Sequence, residues 1–459
     1  MFQQFVNRGE ELSFLEKMYS ENKPKFIVIY GRRRIGKTAL MKKFIKNKPH
    51  IYFLADNRGN KQNIQEMQHF MGEFLSDSIF KKANISDWVE LFDEFSKKTK
   101  GRVVIVVDEF PYLIMSNKAI PSIFQKIWDA NLSSKNVYLV LLGSSIGMME
   151  TEVLGYKSPL YGRRSGQLKI LPLKFKHLIE FFPDYSPEDL IKVFSITDGI
   201  PAYMLSMNPK LNFQENLKEN VLNSGSFLCQ EAEILLRQEL REQSNYFNIL
   251  KAIANSRNKY GEIVNFTELD KTLISKYLST LILLHVIRKE FPPTQKKEAR
   301  NARYVFEDNY FNFWFRFIYP NKTLIESGKK NELEDAIKDD LNVYFSQAFE
   351  KICADFISES QAAAFNKIGR WWHKDKEIDI VALNEKMKDI LFVECKWKDN
   401  VNPEKILENL KEKAKYVEWN NDKRKERYAI FAKSFSKKIK NGDVLLFDLN
   451  DMKKMLWKK

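Results

Sequence analysis

Three short apolar runs mark the first third of the chain, and each ends at a glycine or an acidic residue. Residues 26–30 read FIVIY, residues 103–107 read VVIVV and residues 137–142 read VYLVLL. Runs of this length that are rich in β-branched residues are typical of the buried strands of a parallel sheet. Residues 38–45, TALMKKFI, instead carry apolar side chains at helical spacing. The pattern predicts an α/β multidomain protein with a parallel-sheet core over residues 1–175.

The middle of the chain has a helical pattern that ends in a basic loop. Residues 244–255 (SNYFNILKAIAN), 265–272 (NFTELDKT) and 274–290 (ISKYLSTLILLHVIRKE) each predict a helix. Two extended segments follow, on either side of a loop with four basic residues: Lys296, Lys297, Arg300 and Arg303. This order predicts a winged helix-turn-helix within residues 241–320, whose loop would contact phosphates. Such a module also serves as a packing or oligomer contact, and the pattern does not separate the two uses.

Residues 304–320, YVFEDNYFNFWFRFIYP, are strongly aromatic. Rings of this kind can stack on the bases of a nucleic acid. So many clustered rings would be an aggregation hazard if they were exposed. We therefore expect a packed bridge between domains.

The last third predicts a second α/β domain over residues 333–459. Residues 342–357 carry apolar side chains along one side of a helix. Residues 377–383 and 390–397 read as two strands joined by a tight turn, which predicts an antiparallel hairpin. On the first strand, alternation would place Glu377, Asp379 and Val381 on one face. Beyond the hairpin the pattern predicts a helix and two strands, at residues 402–420, 426–434 and 443–452.

Composition and charge narrow the class of protein. The 459 residues include 75 Lys and Arg against 60 Asp and Glu, a net charge of +15. This charge suits a polyanion, with nucleic acid the first candidate and DNA favoured, although a Lys-rich surface also aids solubility. No apolar run approaches the roughly 18 residues that span a bilayer, and the N-terminus does not resemble a signal peptide. The three cysteines are widely spaced, so we expect no disulfide framework or zinc motif and a cytoplasmic protein without a membrane partner.

The residues between the first run and its following helix fit the phosphate-loop pattern G-x-x-x-x-G-K-[ST]. The eight positions are Gly31, Arg32, Arg33, Arg34, Ile35, Gly36, Lys37 and Thr38. The glycines let backbone N–H groups surround phosphate oxygens, and the new helix directs its positive end at the same anion. Lys37 is expected to reach the β and γ phosphates of ATP, and Thr38 to ligate Mg²⁺. The three arginines add charge near the phosphates or lie in solvent.

Polar residues that follow the other two runs complete the predicted ATP site. Asp108 is expected to hold Mg²⁺ through water, and Glu109 to polarise the attacking water. Simple turn chemistry is the alternative for this acidic pair. Ser144 follows the third run, where ATPases with an extra strand between the two Walker strands place a polar sensor of the γ-phosphate. Arg163 and Arg164 are candidates for stabilising the transition state, or form a solvated basic loop.

Several motifs occur in one order, from FVNRGEELSFLEKMY through the phosphate loop, VVIVVDEF and LLGSS to TDGIPAY. Together they resemble the archaeal-type ATPases of the STAND branch of AAA+ proteins, over roughly residues 1–320. The resemblance implies a signal-responsive switch in which nucleotide state rearranges domains. It also implies a helical lid at residues 176–240, where the motif Gly199-Ile200-Pro201 touches the nucleotide. Four residues are implied to lie against the base: Phe5, Arg8, Glu11 and Leu12.

The C-terminal hairpin places charges where a buried strand is expected. Glu394 and Lys396 share one face of their strand, and Asp379 lies on the neighbouring strand. Burying such charges costs several kcal/mol unless something compensates, and Mg²⁺ or Mn²⁺ held by Asp379 and Glu394 would do so. Lys396 would then orient or deprotonate a water, and Glu350 would ligate the metal or orient Lys396. A cross-strand salt bridge in water is the alternative.

The order Glu…Asp…Glu-x-Lys resembles the PD-(D/E)XK nuclease superfamily, which has the restriction-endonuclease fold. The resemblance covers about residues 333–459, although Ile378 stands where proline usually precedes the aspartate. It implies that Glu350, Asp379, Glu394 and Lys396 form a metal-dependent nuclease site.

We therefore expect an ATP-binding and ATP-hydrolysing switch that binds nucleic acid and cleaves DNA at its C-terminal domain. The alternative is an ATP-dependent regulatory switch whose C-terminal domain only binds DNA or a signalling protein partner. A protein-binding ATPase with no nucleic-acid role is a third hypothesis. Each is compatible with a homo-oligomer.

Overall fold

The computed structural model describes residues 5–240, 242–295, 301–360, 365–437, 439 and 444–457. The chain forms two compact units. The first unit holds Met1–Pro172 and Ile200–Ala202, and the second holds Leu173–Gly199 and Tyr203–Lys459. The chain therefore passes between the units three times, and a short early segment belongs to the second unit.

A parallel sheet forms the centre of the first unit. Its strands are β1 (Lys25–Tyr30), β2 (His50–Leu54), β3 (Val103–Asp108), β4 (Val137–Gly143) and β5 (Gly166–Lys169). Their order across the sheet is β2-β3-β4-β1-β5. The three apolar runs form β3, β4 and β1, side by side, which confirms the predicted parallel core. Because parallel strands end at one edge of a sheet, the residues that follow these three strands meet there.

Helices cover both faces of this sheet. They are α1 (Gly9–Ser20), α2 (Lys37–Ile45), α3 (Asn60–Leu75), α4 (Ser78–Lys82), α5 (Trp88–Lys98), α6 (Phe110–Ser116), α7 (Ile120–Ile127) and α8 (Ile146–Met148). Alternate residues of β1 point into two separate apolar layers. Phe26 and Val28 pack with residues of α3 and α5, whereas Ile27 and Ile29 pack with residues of α1 and α2. The sheet is therefore buried on both sides, as its continuous apolar runs predict.

The second unit begins with helices and a two-stranded ribbon. The helices are α9 (Pro187–Thr197), α10 (Pro201–Leu205, whose first two residues belong to the first unit), α11 (Phe213–Asn216), α12 (Phe227–Glu239), α13 (Gln243–Ala254), α14 (Tyr260–Thr267) and α15 (Lys271–Leu283). The antiparallel strands β6 (Ile287–Glu290) and β7 (Arg303–Phe306) follow α15. The chain thus has three helices and a ribbon in the predicted order, but the predicted helix over residues 274–290 is wrong beyond Leu283, because Ile287–Glu290 form β6.

The predicted helix over residues 265–272 is wrong. α14 ends at Thr267, and Glu268 has a left-handed φ of 55°. Asp270 then begins the next helix, because its side chain accepts a hydrogen bond of 2.7 Å from the backbone N–H of Thr272. The stretch read as one helix is the end of α14 and the start of α15.

The aromatic segment is packed inside the second unit. It includes α16 (Asn309–Phe313) and a π-helical turn (Trp314–Ile318), and α17 (Lys322–Glu326) follows it. Trp314 is fully buried, and its indole N–H donates to the carbonyl of Cys229 at 2.7 Å. Phe315 packs edge-on against Phe247. These buried rings have no face open for stacking on a base, and packing is their role.

A long helix and a mixed sheet complete the second unit. They comprise α18 (Lys330–Ser360), β8 (Lys367–His373), β9 (Lys376–Asn384), β10 (Asp389–Lys396), α19 (Pro403–Ala414), β11 (Lys425–Ala432), β12 (Val444–Phe447) and α20 (Leu449–Leu456). The strand order is β12-β11-β10-β9-β8. β9 and β10 form the predicted antiparallel hairpin, while β11 and β12 run parallel to β10. The predicted strand over 443–452 is wrong beyond Phe447, because Asp448 caps α20 through the backbone N–H of Asp451.

The first strand of the hairpin does not alternate as predicted. Ile378, Val381 and Leu383 all pack into the apolar cluster beneath α19, so Val381 does not share a face with Asp379. The register with β8 shifts between Gly369 and Trp371. A bulge of this kind changes which face a side chain occupies, and bulges often lie beside functional sites.

Candidate functional site

The phosphate loop is held close to the sheet by its two glycines. A Cβ at Gly31 would lie 2.5 Å from the carbonyl oxygen of Ile170, so a larger residue does not fit. Gly36 has a left-handed φ of 94° directly before α2. A Cβ there would meet no atom within 4 Å. Gly31 is therefore required by a close approach and Gly36 by its backbone conformation.

Lys37 lies buried at the start of α2. Its ammonium donates hydrogen bonds to the carbonyls of Gly31 at 2.8 Å and Arg32 at 3.0 Å. Burial lowers the pKa of Lys37 to about 8, against the opposing effect of the Glu109 and Asp108 carboxylates. The Lys37 ammonium is therefore held beside the phosphate loop, where its positive charge favours the binding of an anion.

Asp108 connects three elements at the end of β3. Its Oδ2 accepts a hydrogen bond of 2.9 Å from the hydroxyl of Thr38 and a second from the phenol of Tyr52 on β2. Its Oδ1 accepts from the backbone N–H of Glu109 at 2.9 Å. These oxygen donors are the kind that Mg²⁺ prefers, so the site fits that ion. Tyr52 was not predicted from the sequence, because β2 carries no recognised motif.

Glu109 and Ser144 lie together, although they follow different strands. Glu109 has a left-handed φ of 53°. Its carboxylate accepts hydrogen bonds from the hydroxyl of Ser144 and, at 3.3 Å, from the backbone N–H of the same residue. The structure thus places the predicted water-polarising acid against the predicted sensor.

The arginines predicted for this site have different surroundings. Arg33 donates to the hydroxyl of Tyr112 at 3.0 Å. Arg163 forms an ion pair with Asp129 at 2.9 Å. Arg164 lies over the ring of Tyr161, 5.3 Å from the centroid.

Arg8 is buried beside the phosphate loop. It donates to the carbonyls of Ile35 at 3.2 Å and Leu171 at 2.7 Å, and forms an ion pair with Glu11. Its guanidinium therefore fixes the phosphate loop to the chain that follows β5.

Gly199 closes a tight turn in the second unit. It has a left-handed φ of 69°, and a Cβ there would lie 1.9 Å from the carbonyl oxygen of Leu173. Its own carbonyl accepts a hydrogen bond of 2.9 Å from the backbone N–H of Leu173. Ile200 and Pro201, the rest of the predicted lid motif, belong to the first unit. Two of the passages between the units therefore lie side by side.

The C-terminal hairpin brings Asp379, Glu394 and Lys396 together. The Asp379 carboxylate accepts from the backbone N–H of Cys395 at 2.8 Å, and the Lys396 ammonium donates to Glu394 at 2.7 Å. Burial, with the Glu394 carboxylate nearby, raises the pKa of Asp379. Burial opposes the charge on Lys396, but Glu394 raises its pKa above the ordinary value. Lys396 is therefore a charged ammonium beside the buried Glu394 and the half-buried Asp379.

Two cations that the sequence analysis missed also enter this cluster. Lys413 on α19 donates to both Glu394 oxygens, at 3.0 and 3.1 Å. Arg370 on β8 bonds the carboxylate of Glu350. Burial nevertheless raises the pKa of Glu350 to about 7, against the opposing effect of Arg370. The only sequence signal for either cation was its place on an element next to the hairpin.

A cavity of about 680 Å³ opens beside the acidic cluster, and Glu350, Asp379 and Lys396 line it. Asp379 and Glu394 supply oxygen donors to a cation, as Mg²⁺ requires. Across the described ranges, however, no three Asp, Glu, His or Cys side chains are grouped to hold a metal. Lys396 and Lys413 both bond the Glu394 carboxylate, so their ammonium groups would compete with a divalent cation there.

The ribbon predicted to contact phosphates is partly occupied. Arg303 is buried, with its guanidinium 4.4 Å from the ring centroid of Trp372 and bonded to Glu377. The prediction of a phosphate contact for Arg303 is therefore wrong, because the side chain is committed to the C-terminal sheet. Lys296, Lys297 and Arg300 lie outside the described residues.

In the part of the chain that the structure describes, no helix is both long enough and apolar enough to cross a bilayer.

The fold and the phosphate loop define a P-loop ATPase. Residues 5–207 match the family described as an ATPase domain predominantly from Archaea. Residues 314–413 match a family described as archaeal and bacterial proteins of unknown function. The chain therefore carries a nucleotide-binding ATPase domain and is an ATPase.

The chain is also similar to two proteins of Methanocaldococcus jannaschii, to one over nearly its whole length and to the other over a short segment. It is 41% identical over 454 residues to the uncharacterized protein MJECL04, which covers 97% of this chain and 99% of that protein. Over 44 residues it is 64% identical to the uncharacterized ATP-binding protein MJ0423, or 10% of this chain and 75% of that one. The chain belongs to the same family as MJECL04.

Two solved structures share its fold. The Walker-type ATPase PABY2304 of Pyrococcus abyssi aligns with a TM-score of 0.52 at 21% identity, covering 68% of this chain and 96% of that one. The ORC2 protein of Aeropyrum pernix, solved in ADPNP–ADP complexes, aligns with a TM-score of 0.50 at 15% identity, covering 71% and 96%.

Proposed function

We propose that ATP binding and hydrolysis in the first unit control a nucleic-acid-binding second unit, which cleaves DNA with a divalent cation. The observation that carries this proposal is the meeting of Asp379, Glu394 and Lys396 on one hairpin, with Glu350 beside them. The net charge of +15 supports a polyanionic partner. The phosphate loop and the C-terminal hairpin lie in different units.

In the ATPase step, the loop from Gly31 to Thr38 binds the phosphates, and Lys37 contacts the terminal ones. A phosphate beside Lys37 would favour its charged form, which burial now disfavours. Thr38 and Asp108 would hold Mg²⁺, which would supply neutralisation of the phosphate charge. Glu109 orients the attacking water and accepts its proton, and Ser144 holds the Glu109 carboxylate until nucleotide arrives.

In the nuclease step, Asp379 and Glu394 would hold the divalent cation, which would supply charge stabilisation at the attacked phosphate. Beside the Glu394 carboxylate the pKa of Lys396 is raised, so the ammonium keeps its proton and would orient the attacking water. Once a bound cation offsets the Glu394 charge, Lys396 would accept the proton of that water. Glu350 is positioned by Arg370 at the edge of the same cluster.

A cleavage assay tests this proposal. Plasmid, linear and single-stranded DNA are incubated with Mg²⁺ or Mn²⁺, with and without ATP. The proteins are the wild type, Lys37→Ala, Lys396→Ala and the control Lys386→Ala, whose exposed lysine lies in the turn of the same hairpin and outside the cavity lining. We expect Lys396→Ala to abolish cleavage, Lys386→Ala to retain it, and Lys37→Ala to remove its dependence on ATP. Intact ATP hydrolysis without cleavage of any substrate would overturn the nuclease.

A second candidate function is a switch whose C-terminal domain binds DNA or a protein without cutting. The compensation of Glu394 by both Lys396 and Lys413, and of Glu350 by Arg370, favours it. A cluster that is neutralised by its own cations is stable without a metal. ATP-dependent DNA binding with no cleavage would support this candidate.

The three helices α13–α15 and their ribbon support a winged helix-turn-helix, and we propose that it contacts the DNA. Backbone contacts make affinity fall steeply as salt rises. DNA affinity measured over a series of salt concentrations tests this, because a protein-binding ATPase would show no such slope.

A further inference from the structure

A tyrosine on a strand without a recognised motif contacts the acid of the phosphate site. Tyr52 lies on β2, which pairs with β3 so that Tyr52 is opposite Val106. Its ring packs against the apolar cluster that lies between the sheet and α2 and contains Val104 and Val106. The phenol therefore reaches Asp108 along the same face of the sheet, from the neighbouring strand.

We propose that Tyr52 is a positioning residue for the divalent cation of the ATPase site, which it serves by orienting the Asp108 carboxylate. This inference rests on the proposed role of Thr38 and Asp108 in holding Mg²⁺. It assigns a further residue to that site and derives from the contacts of β2.

The hydrogen bonds of Asp108 show what Tyr52 contributes. Oδ2 accepts from both Thr38 and Tyr52, while Oδ1 accepts from the backbone N–H of Glu109. The carboxylate is thus fixed in its plane by donors on three different elements. Each carboxylate oxygen has two lone pairs, so Oδ1 keeps one for a water of the cation.

Tyr52 is the donor in this contact, because a carboxylate oxygen only accepts hydrogen bonds. The phenol O–H of Tyr52 donates to Oδ2 of Asp108. Removing such a partner of a metal-holding group typically lowers metal affinity about 10- to 100-fold.

The test separates nucleotide binding from cation binding. Affinity for a fluorescent, non-hydrolysable ATP analogue is measured in EDTA and in Mg²⁺ for the wild type and Tyr52→Phe. Tyr138→Phe is the matched control, because that buried tyrosine belongs to the same apolar layer but donates to the carbonyl of Leu15. Asp108→Ala shows how much of the gain from Mg²⁺ depends on the carboxylate.

We expect Tyr52→Phe to equal the wild type in EDTA and to lose about tenfold of the gain from Mg²⁺. Tyr138→Phe should keep the full gain. A full gain in Tyr52→Phe, or an equal loss in EDTA and Mg²⁺, would overturn the inference while leaving the proposed cation site intact. A wild type whose affinity does not respond to Mg²⁺, or a gain that survives Asp108→Ala, would overturn that site and the inference with it.

Discussion

Glu109 combines a special backbone conformation with a specific partner. A left-handed φ is unfavourable for a glutamate and persists only where surrounding contacts hold it. The two hydrogen bonds from Ser144 supply such contacts. The carboxylate is therefore held at a defined position next to the phosphate loop.

Glu109→Gln should leave nucleotide affinity within about twofold and lower the rate of ATP hydrolysis by about 100-fold or more. The amide keeps the shape of the side chain but cannot accept the proton of the attacking water. Binding of a fluorescent ATP analogue and release of phosphate measure the two effects. A variant that hydrolyses ATP at the wild-type rate would exclude Glu109 as the base.

Glu350 should make the stability of the second unit depend on pH. Its folded-state pKa of about 7 lies above the ordinary value, so the folded protein binds this proton more tightly than the unfolded chain does. The resulting stability is present at low pH and is lost as pH rises through about 7.

Urea unfolding in EDTA from about pH 5 to about pH 8 measures this dependence. Glu350→Gln cannot titrate, so we expect the pH-dependent loss to shrink by about 2 kcal/mol. Arg370 loses its partner in this variant at every pH, which shifts the whole curve without changing its slope. An unchanged slope would show that Glu350 is already charged at low pH.

At the scale of elements, α19 supplies the Lys413 ammonium to Glu394 on the hairpin. Lys413→Met should raise the affinity of the C-terminal site for Mn²⁺ several-fold, because a divalent cation no longer competes with the ammonium for Glu394. Lys405→Met, an exposed lysine on the same helix, is the control. Titration with Mn²⁺ in a Lys37→Ala background measures this site, and Asp379→Ala identifies its signal.

Equal Mn²⁺ affinity in Lys413→Met and Lys405→Met would show that Lys413 does not occupy the cation position. Absence of any signal that depends on Asp379 would instead count against the metal site itself.

The sequence predicts elements best where the pattern is continuous. β1, β3 and β4 are buried on both faces, so their apolar runs are unambiguous. β2, whose ends are exposed, is buried less completely, and the sequence pattern predicts neither this strand nor a role for Tyr52. Val381 lies on the face opposite to Asp379, because the register between β8 and β9 shifts between these two parts of β9. The sequence of β9 alone does not show this shift. Pairings such as Lys413 with Glu394 join distant residues, and periodicity within one element does not show them.

At the scale of the whole molecule, Asp198 links the passage between the units to α18. Its buried carboxylate forms an ion pair with Lys351 at 2.7 Å, and Lys351 directly follows Glu350. Asp198 also directly precedes Gly199, where the chain leaves the second unit. We therefore expect this ion pair to be one of the contacts that transmit a change at this passage to α18.

Lys351→Met should weaken the effect of ATP on DNA affinity about fivefold or more, the usual size of a coupling between sites, with little change in ATP hydrolysis. Lys218→Met is the matched control, because Lys218 pairs with Glu334 on the same helix at an exposed position. DNA affinity with and without ATP measures the coupling. The same ATP effect in both variants would exclude the Asp198–Lys351 pair as the link.

The discontinuity of the second unit also affects how the protein is made. The hydroxyl of Tyr344 on α18 donates to the carbonyl of Ser195 on α9, a partner synthesised 149 residues earlier. During synthesis on the ribosome, α9 cannot make this contact until α18 has been synthesised. By then the chain of the first unit, with its strands and helices, is already complete. A fragment that begins after residue 203 would lack α9 entirely and expose the surface that α9 covers. The second unit is therefore a folding unit that cannot be separated from the first by a single cut.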